Sequence, residues 1–199
     1  MPRKQRFCMP EMTYHTWSRC IEKKSLMKPK KMKDLMTSVL NLACKKYDYR
    51  LVGYTLMDNH FHFYIKTTKE GENISRIMQF IKSKFARRYN RMMNRTGPFW
   101  NERFGDTIIE ITKDPVSLFF FILFYIANNP VRSNTVKDPR DYRYSSLNCY
   151  LDENYISPVK ITLHEFFLNL GPTFKERVNK FLVYEEMYRK RVFPDCLFI

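Results

Sequence analysis

The sequence predicts an α+β fold: a ferredoxin-like antiparallel sheet, β-α-β-β-α-β, with helices on one face and a C-terminal helical extension. Three observations lead there. Short segments that alternate apolar and polar residues interleave with longer ones whose apolar residues fall three and four apart. Two alternating segments are joined by a three-residue turn, which makes a hairpin in the middle of the pattern. Length points the same way, since 199 residues suit one domain with an appendage.

Each element has its own signal. Residues 12–21 mix Thr, Tyr, Trp and Cys with polar residues and suit a strand. Residues 22–33 carry Lys23, Lys24, Lys28, Lys30, Lys31 and Lys33 and read as a basic loop. Met32, Leu35, Met36, Val39, Leu42 and Ala43 follow at helical spacing. Residues 49–56 and 59–66 alternate as strands around the turn Met57-Asp58-Asn59. Asn73 is a good N-cap for a helix reaching about residue 94, with Ile74, Ile77, Met78, Ile81, Phe85, Tyr89 and Met92 on one stripe. Thr96-Gly97-Pro98 ends it, and 104–112 form a further strand. A third helix spans about 115–128, capped by Asp114 and closed by Pro130. Residues 138–143 are a linker containing Pro139. The tail, 162–191, reads as helical, with capping-box patterns at Thr162/Glu165 and Thr173/Glu176 on either side of Gly171.

Composition narrows the function. Lys and Arg number 35 against 20 Asp and Glu, a formal charge of +15, so the expected partner is a polyanion, nucleic acid first. Aromatic residues make up 16% and glycines number five, which excludes a disordered polymer. The longest apolar run, 116–127, is shorter than the ~20 residues a membrane span needs, and no secretory signal is visible, so no membrane partner is expected. Cys8, Cys20, Cys44, Cys149 and Cys196 are odd in number and without CxxC spacing, as in a reduced protein with buried thiols.

Two places carry chemistry. His60 and His62, in His60-Phe61-His62, lie two apart on a strand, so they share a face roughly 6.5–7 Å apart and can converge on one divalent metal. A pair of histidines on a half-exposed sheet face is the alternative, and two imidazoles alone leave a metal short of ligands. Tyr125 and Asn129 are i and i+4 on an apolar helix, so a phenol and an amide oxygen sit a turn apart. Here the alternative is a core tyrosine with a capping asparagine. On the second helix, Lys84, Arg88, Arg91 and Arg95 recur at 4-3-4 spacing beside Arg87, and 74–95 contain no acidic residue, which suits a phosphate backbone. Trp100 is a candidate for stacking unpaired bases.

Four stretches together resemble the HUH-class single-tyrosine transposases, nearest the REP-associated tyrosine transposases and small insertion-sequence transposases. They are Met57-Asp58-Asn59-His60-Phe61-His62-Phe63, Phe85-Ala86-Arg87-Arg88-Tyr89-Asn90-Arg91, Phe99-Trp100-Asn101-Glu102-Arg103-Phe104 and Tyr125-Ile126-Ala127-Asn128-Asn129-Pro130-Val131-Arg132, with a weaker echo at 141–146. Asp58 departs from that family, which most often has proline there. The resemblance covers about 10–151 and implies a catalytic domain at 1–151 with a helical extension at 152–199. It implies a metal, Mg²⁺ or Mn²⁺, on His60, His62 and Asn129, and Tyr125 as nucleophile. It also implies a single-stranded DNA substrate with hairpin or palindromic repeats, bound by Lys84, Arg87, Arg88, Arg91, Arg95, Trp100 and Arg103. The expected activity is that of a transposase, or strand nickase-ligase, working through a 5′-phosphotyrosine. Such a protein would be a cytoplasmic, nucleoid-associated monomer or homodimer. A non-catalytic or domesticated nucleic-acid-binding protein of the same fold is the alternative, and a metal nuclease using water in place of the tyrosine is a third reading.

Overall fold

The computed structural model describes residues 6–190. In chain order these form β1 (Thr13–Arg19), α1 (Lys30–Lys46), β2 (Tyr49–Leu56), β3 (His60–Thr67), α2 (Ile74–Met92), β4 (Gly105–Ile108), α3 (Pro115–Ala127), the short α4 (Asn129–Arg132) and α5 (Glu165–Leu168), and α6 (Phe174–Lys190). The strands are antiparallel in the order β2-β3-β1-β4. This is the ferredoxin-like α+β arrangement that the sequence pattern predicts.

Strand alternation divides the molecule into two cores. Tyr14 of β1 and Phe61, Phe63 and Ile65 of β3 pack with Met36 and Leu40 of α1 and Ile77, Ile81 and Phe85 of α2. Each such side chain, when fully buried, contributes roughly 1.5–3 kcal/mol by leaving water. On the opposite face, Val52 and Tyr64 pack with Phe119 and Leu123 of α3 and with Phe167 and Phe181 from the tail. The almost wholly apolar surface of α3 follows from this placement between sheet and tail. Phe120 stacks on Tyr184 at 4.3 Å and Phe124 on Phe181 at 4.6 Å.

Several local expectations hold in atomic detail. Asn73 caps α2 by accepting from the Arg76 N–H at 3.0 Å, and Asp114 caps α3 by accepting from the Ser117 N–H at 3.0 Å. Thr173 and Glu176 form a reciprocal capping box, with bonds of 3.3 and 3.0 Å.

Others are corrected. Lys30, Lys31 and Lys33 belong to α1, which begins directly after Pro29 and is not preceded by a basic loop through residue 33. Lys33 is buried and its Nζ meets Asp58 at 2.6 Å, so the unusual Asp58 serves as a counter-ion that fixes the β2–β3 turn against α1. The helix α2 stops at Met92, because Asn94 takes a left-handed φ of 45°. Four residues, not the wider 104–112 span, form β4, since the chain turns once the Ile109 N–H has bonded to the Thr13 carbonyl. Pro130 does not close α3. Asn128 does, donating to the Phe124 carbonyl at 2.8 Å, and Pro130 lies in the first turn of α4, where its missing N–H is harmless. Thr162 caps nothing, because its N–H bonds to the Leu51 carbonyl and α5 is capped by His164. The tail forms two helices, α5 and α6, on either side of Gly171. Cys8, Cys20, Cys44 and Cys149 are free thiols, and Cys196 and Arg191 lie outside the described residues. No helix among the described residues is long and apolar enough to cross a membrane.

Candidate active site

The site lies on the α3 side of the sheet, at one end of β1 and β3. Strand alternation turns His60 and His62 to that side while Phe61 and Phe63 anchor β3 in the opposite core. The two imidazole centroids are 5.1 Å apart and their planes are nearly perpendicular at 88°. Asn59 sets the orientation of His60. Its Nδ2 donates to the Lys23 carbonyl at 3.1 Å, so its Oδ1 accepts from His60 Nδ1–H at 2.7 Å. Nε2 of His60 therefore keeps its lone pair. Across the strand boundary, His62 Nδ1 shares one proton with His15 Nε2 at 2.9 Å. Burial holds all three rings neutral, with His15 lowered to about 3, His60 to about 4 and His62 well below its ordinary value. Arg19 and Arg132 add a smaller push in the same direction at His60.

Tyr125 comes to this site from α3. Its ring stands edge-on to His62 at 6.0 Å. Arg132, one helix further on, folds back so that its guanidinium lies 4.1 Å over the Tyr125 ring and donates to the Tyr125 carbonyl at 2.9 Å. The ring is thus held from both sides. Asn129 uses its Nδ2 on the Tyr125 and Ile126 carbonyls at 3.1 and 3.4 Å, which leaves Oδ1 as the amide's free acceptor. His60, His62, Tyr125 and Asn129 all line one open cavity of about 1460 Å³.

Among the described residues, no three His, Cys, Asp or Glu side chains cluster as a metal site. A set of two imidazoles and an amide falls outside that pattern, and its chemistry fits a divalent cation. Both histidines are neutral, each has one ring nitrogen engaged by a neighbour, and an amide oxygen lines the same cavity.

The basic residues divide. Lys84, Arg87, Arg88 and Arg91 line a groove of about 290 Å³ on α2. Arg95 does not share that helical face, because it lies past the end of α2 with its guanidinium tied to Asn90 at 3.1 Å and to the Pro98 carbonyl at 2.9 Å. Trp100 is half-buried and anchored to its surroundings. Its indole N–H donates to the Lys82 carbonyl at 3.0 Å and its ring packs edge-on against Phe61 and Phe99. Arg103 is exposed and borders the active-site cavity.

His15, Trp17 and Arg19 of the cavity, and Arg132 beside Tyr125, are given no role by the sequence motifs. The first three alternate on β1, opposite Tyr64, His62 and His60 respectively. Trp17 is 38% exposed, and its indole lies so close over Gly105 that any Cβ there would overlap it at 2.4 Å. Alternation along β1 was the available signal, but it does not say which strand is the neighbour.

The fold and the site together give a ferredoxin-like sheet that carries paired imidazoles and a cavity-lining tyrosine. The family described as Transposase IS200 like matches residues 8–117, more than half of the chain, and the chain belongs to that family. Among solved structures it resembles a REP-associated tyrosine transposase bound to a REP hairpin, at TM-score 0.61 and 16% identity, over 82% of this chain and 100% of that one. A Deinococcus radiodurans R1 protein assigned as a transposase aligns over 64% of this chain and 95% of its own, at 16% identity and TM-score 0.41. No curated protein matches the chain.

Proposed function

We propose that this transposase cleaves and rejoins single-stranded DNA next to small hairpins, through a covalent 5′-phosphotyrosine on Tyr125. The observation that carries this reading is the convergence of His60 and His62 from β3, Tyr125 from α3 and Asn129 from α4 on one cavity. A divalent cation, Mg²⁺ or Mn²⁺, held by His60, His62 and Asn129 would offset the anionic oxygens that make a phosphodiester resist attack. Tyr125 Oη attacks the phosphorus and loses its proton as the new P–O bond forms. The P–O3′ bond breaks, and the departing oxygen takes up a proton to become a 3′-OH. Bond energy stays in the phosphotyrosine, so a later 3′-OH reverses the step and joins strands without a nucleotide cofactor. Arg132 stacked on the phenol keeps the nucleophile aimed, and Arg19 and Arg103 at the cavity rim supply positive charge for the strand.

The Lys84/Arg87/Arg88/Arg91 groove is the proposed contact to the hairpin phosphates, since four cations gathered without a carboxylate suit a phosphate backbone. Trp17, exposed beside His62, and the half-buried Trp100 are the residues proposed to stack unpaired bases. Residues 1–151 would form the catalytic domain and 152–199 its extension, acting on the nucleoid in the cytoplasm.

The decisive experiment uses hairpin DNA labelled at its 5′ or 3′ end, with Mn²⁺, on a denaturing gel. A covalent protein–DNA adduct that disappears in Tyr125→Phe supports the proposal, with an expected loss on the order of 10³-fold or more. Cleavage that survives Tyr125→Phe indicates a metal nuclease using water. Binding without cleavage indicates a non-catalytic DNA-binding protein.

A further inference from the structure

We propose that His15 is a positioning residue that fixes the tautomer of His62 by accepting its Nδ1–H, and so keeps His62 Nε2 available as a ligand. The inference rests on the metal-site reading above and adds a residue to it. Two neutral imidazoles 2.9 Å apart share a single proton, and it can belong to either ring. If His15 donates, His62 carries its proton on Nε2 and cannot bind a cation there. If His62 donates, its Nε2 lone pair is free and His15 carries its own proton on Nδ1. The neighbouring histidine shows which arrangement suits the site. His60 Nδ1–H donates to Asn59 Oδ1, an obligate acceptor whose own direction is fixed by the Lys23 carbonyl. Ligating histidines in general hold their second nitrogen this way, on a group that accepts. For His62 the accepting group is an imidazole reached across the β1–β3 pairing.

The rest of the environment supports the assignment. His15 and His62 are only 7% and 6% exposed, and their rings stack with centroids 5.1 Å apart, so the pair cannot separate to let water take the acceptor's place. Trp17 covers His15 from one side at 5.0 Å, and Tyr64 meets it edge-on at 5.8 Å. The His15 ring is thus locked by packing while its Nε2 is presented to His62. A residue needed only to fill space in this pocket would not have to place a nitrogen at that position.

Two measurements on the full chain test this. The first is long-range ¹⁵N–¹H NMR of the metal-free protein with ¹⁵N-labelled histidine, which separates protonated from lone-pair ring nitrogens. The expected result is a protonated Nδ1 on His62 and a lone-pair Nε2 on His15, and the reverse pattern overturns the proposal. The second is Mn²⁺ affinity by calorimetry. His15→Phe, which keeps the ring and removes the acceptor, should weaken Mn²⁺ binding about 10- to 100-fold. His15→Gln, which restores a carbonyl acceptor, should recover most of that loss, and hairpin binding should be unchanged in both. Unaltered Mn²⁺ affinity in His15→Phe overturns the proposal while His60→Ala and His62→Ala still lose the metal. If those two variants also bind Mn²⁺ like the parent protein, the metal-site reading itself falls, and this inference falls with it.

Discussion

Two histidine clusters occupy opposite ends of the same sheet face, and they differ in one respect that matters. At one end are His15, His60 and His62. At the other is His164, which reaches the sheet from the tail. His15, His62 and His164 are buried and His60 is half-buried, and desolvation lowers the pKa of each, His164 to about 4. The difference lies in the ring nitrogens. His164 Nδ1 accepts from the Phe166 N–H at 3.1 Å, so its Nε2–H donates to Thr13 Oγ1 at 2.8 Å, and Thr13 passes a bond on to Glu110 at 2.6 Å. Glu110 and Glu165 close around Lys66, and Phe119 stacks on the His164 ring at 4.4 Å. Nothing in that network is left for a ligand. His60 and His62 each have one nitrogen engaged and line an open cavity. Burial and a lowered pKa therefore do not distinguish a structural histidine from a candidate ligand, whereas the count of engaged nitrogens does.

The contrast is sharpest in the variants. His60→Ala or His62→Ala should reduce cleavage at least about 10³-fold and leave hairpin affinity nearly unchanged, with Tm kept in His60→Ala and lowered in His62→Ala, which leaves the buried His15 without its partner, measured by gel assay, filter binding and calorimetry. Equal loss of binding would show that these rings build the DNA surface and not the reaction centre. His164→Ala should do the opposite. Losing the α5 cap and the Thr13 bond should cost about 1–3 kcal/mol of stability, read as a Tm drop of about 2–4 °C per kcal/mol. The folded variant should cut at its normal rate. A lost rate at unchanged Tm would break the distinction drawn between the clusters.

Neither cluster should govern the salt dependence of binding, which the proposed hairpin contact assigns to the α2 groove. Arg88→Ala combined with Arg91→Ala should lower hairpin affinity about tenfold and flatten the slope of log K against log salt by roughly 1.5–2. An unchanged slope would move the DNA to another face. The smallest expected effect is on pH. An unfolded histidine takes up a proton near 6.5, but His164 in the fold resists protonation until about 4. Its contribution to stability is thus complete above pH 6.5 and is lost as the pH falls from 6.5 to 4. His164→Asn keeps a capping side chain without that titration, so its Tm should fall less than the parent's across this window. Parallel curves would show that His164 does not titrate there.

Much of this was legible in order along the chain. Asn73, Asp114 and Thr173 announce their helices because a cap acts within three residues. The His60-Phe61-His62 alternation defines both what β3 anchors and what it presents, because strand geometry is local. The links that escaped are those between residues distant in sequence. His15 and His62 are 47 positions apart and meet only because β1 pairs with β3. Arg95 and Trp100 are basic and aromatic by composition, and only the fold shows that each is tied to a backbone carbonyl, of Pro98 and Lys82.

The sequence alone determined the ferredoxin-like element order, the net positive charge and the pairs His60/His62 and Tyr125/Asn129, because propensity, capping and periodicity act over a few residues. Only the tertiary structure decided that those pairs share one cavity, that Arg132 lies on Tyr125 and that His15 stands behind His62. Strand pairing and helix packing bring together residues whose separation in the chain carries no signal of their meeting.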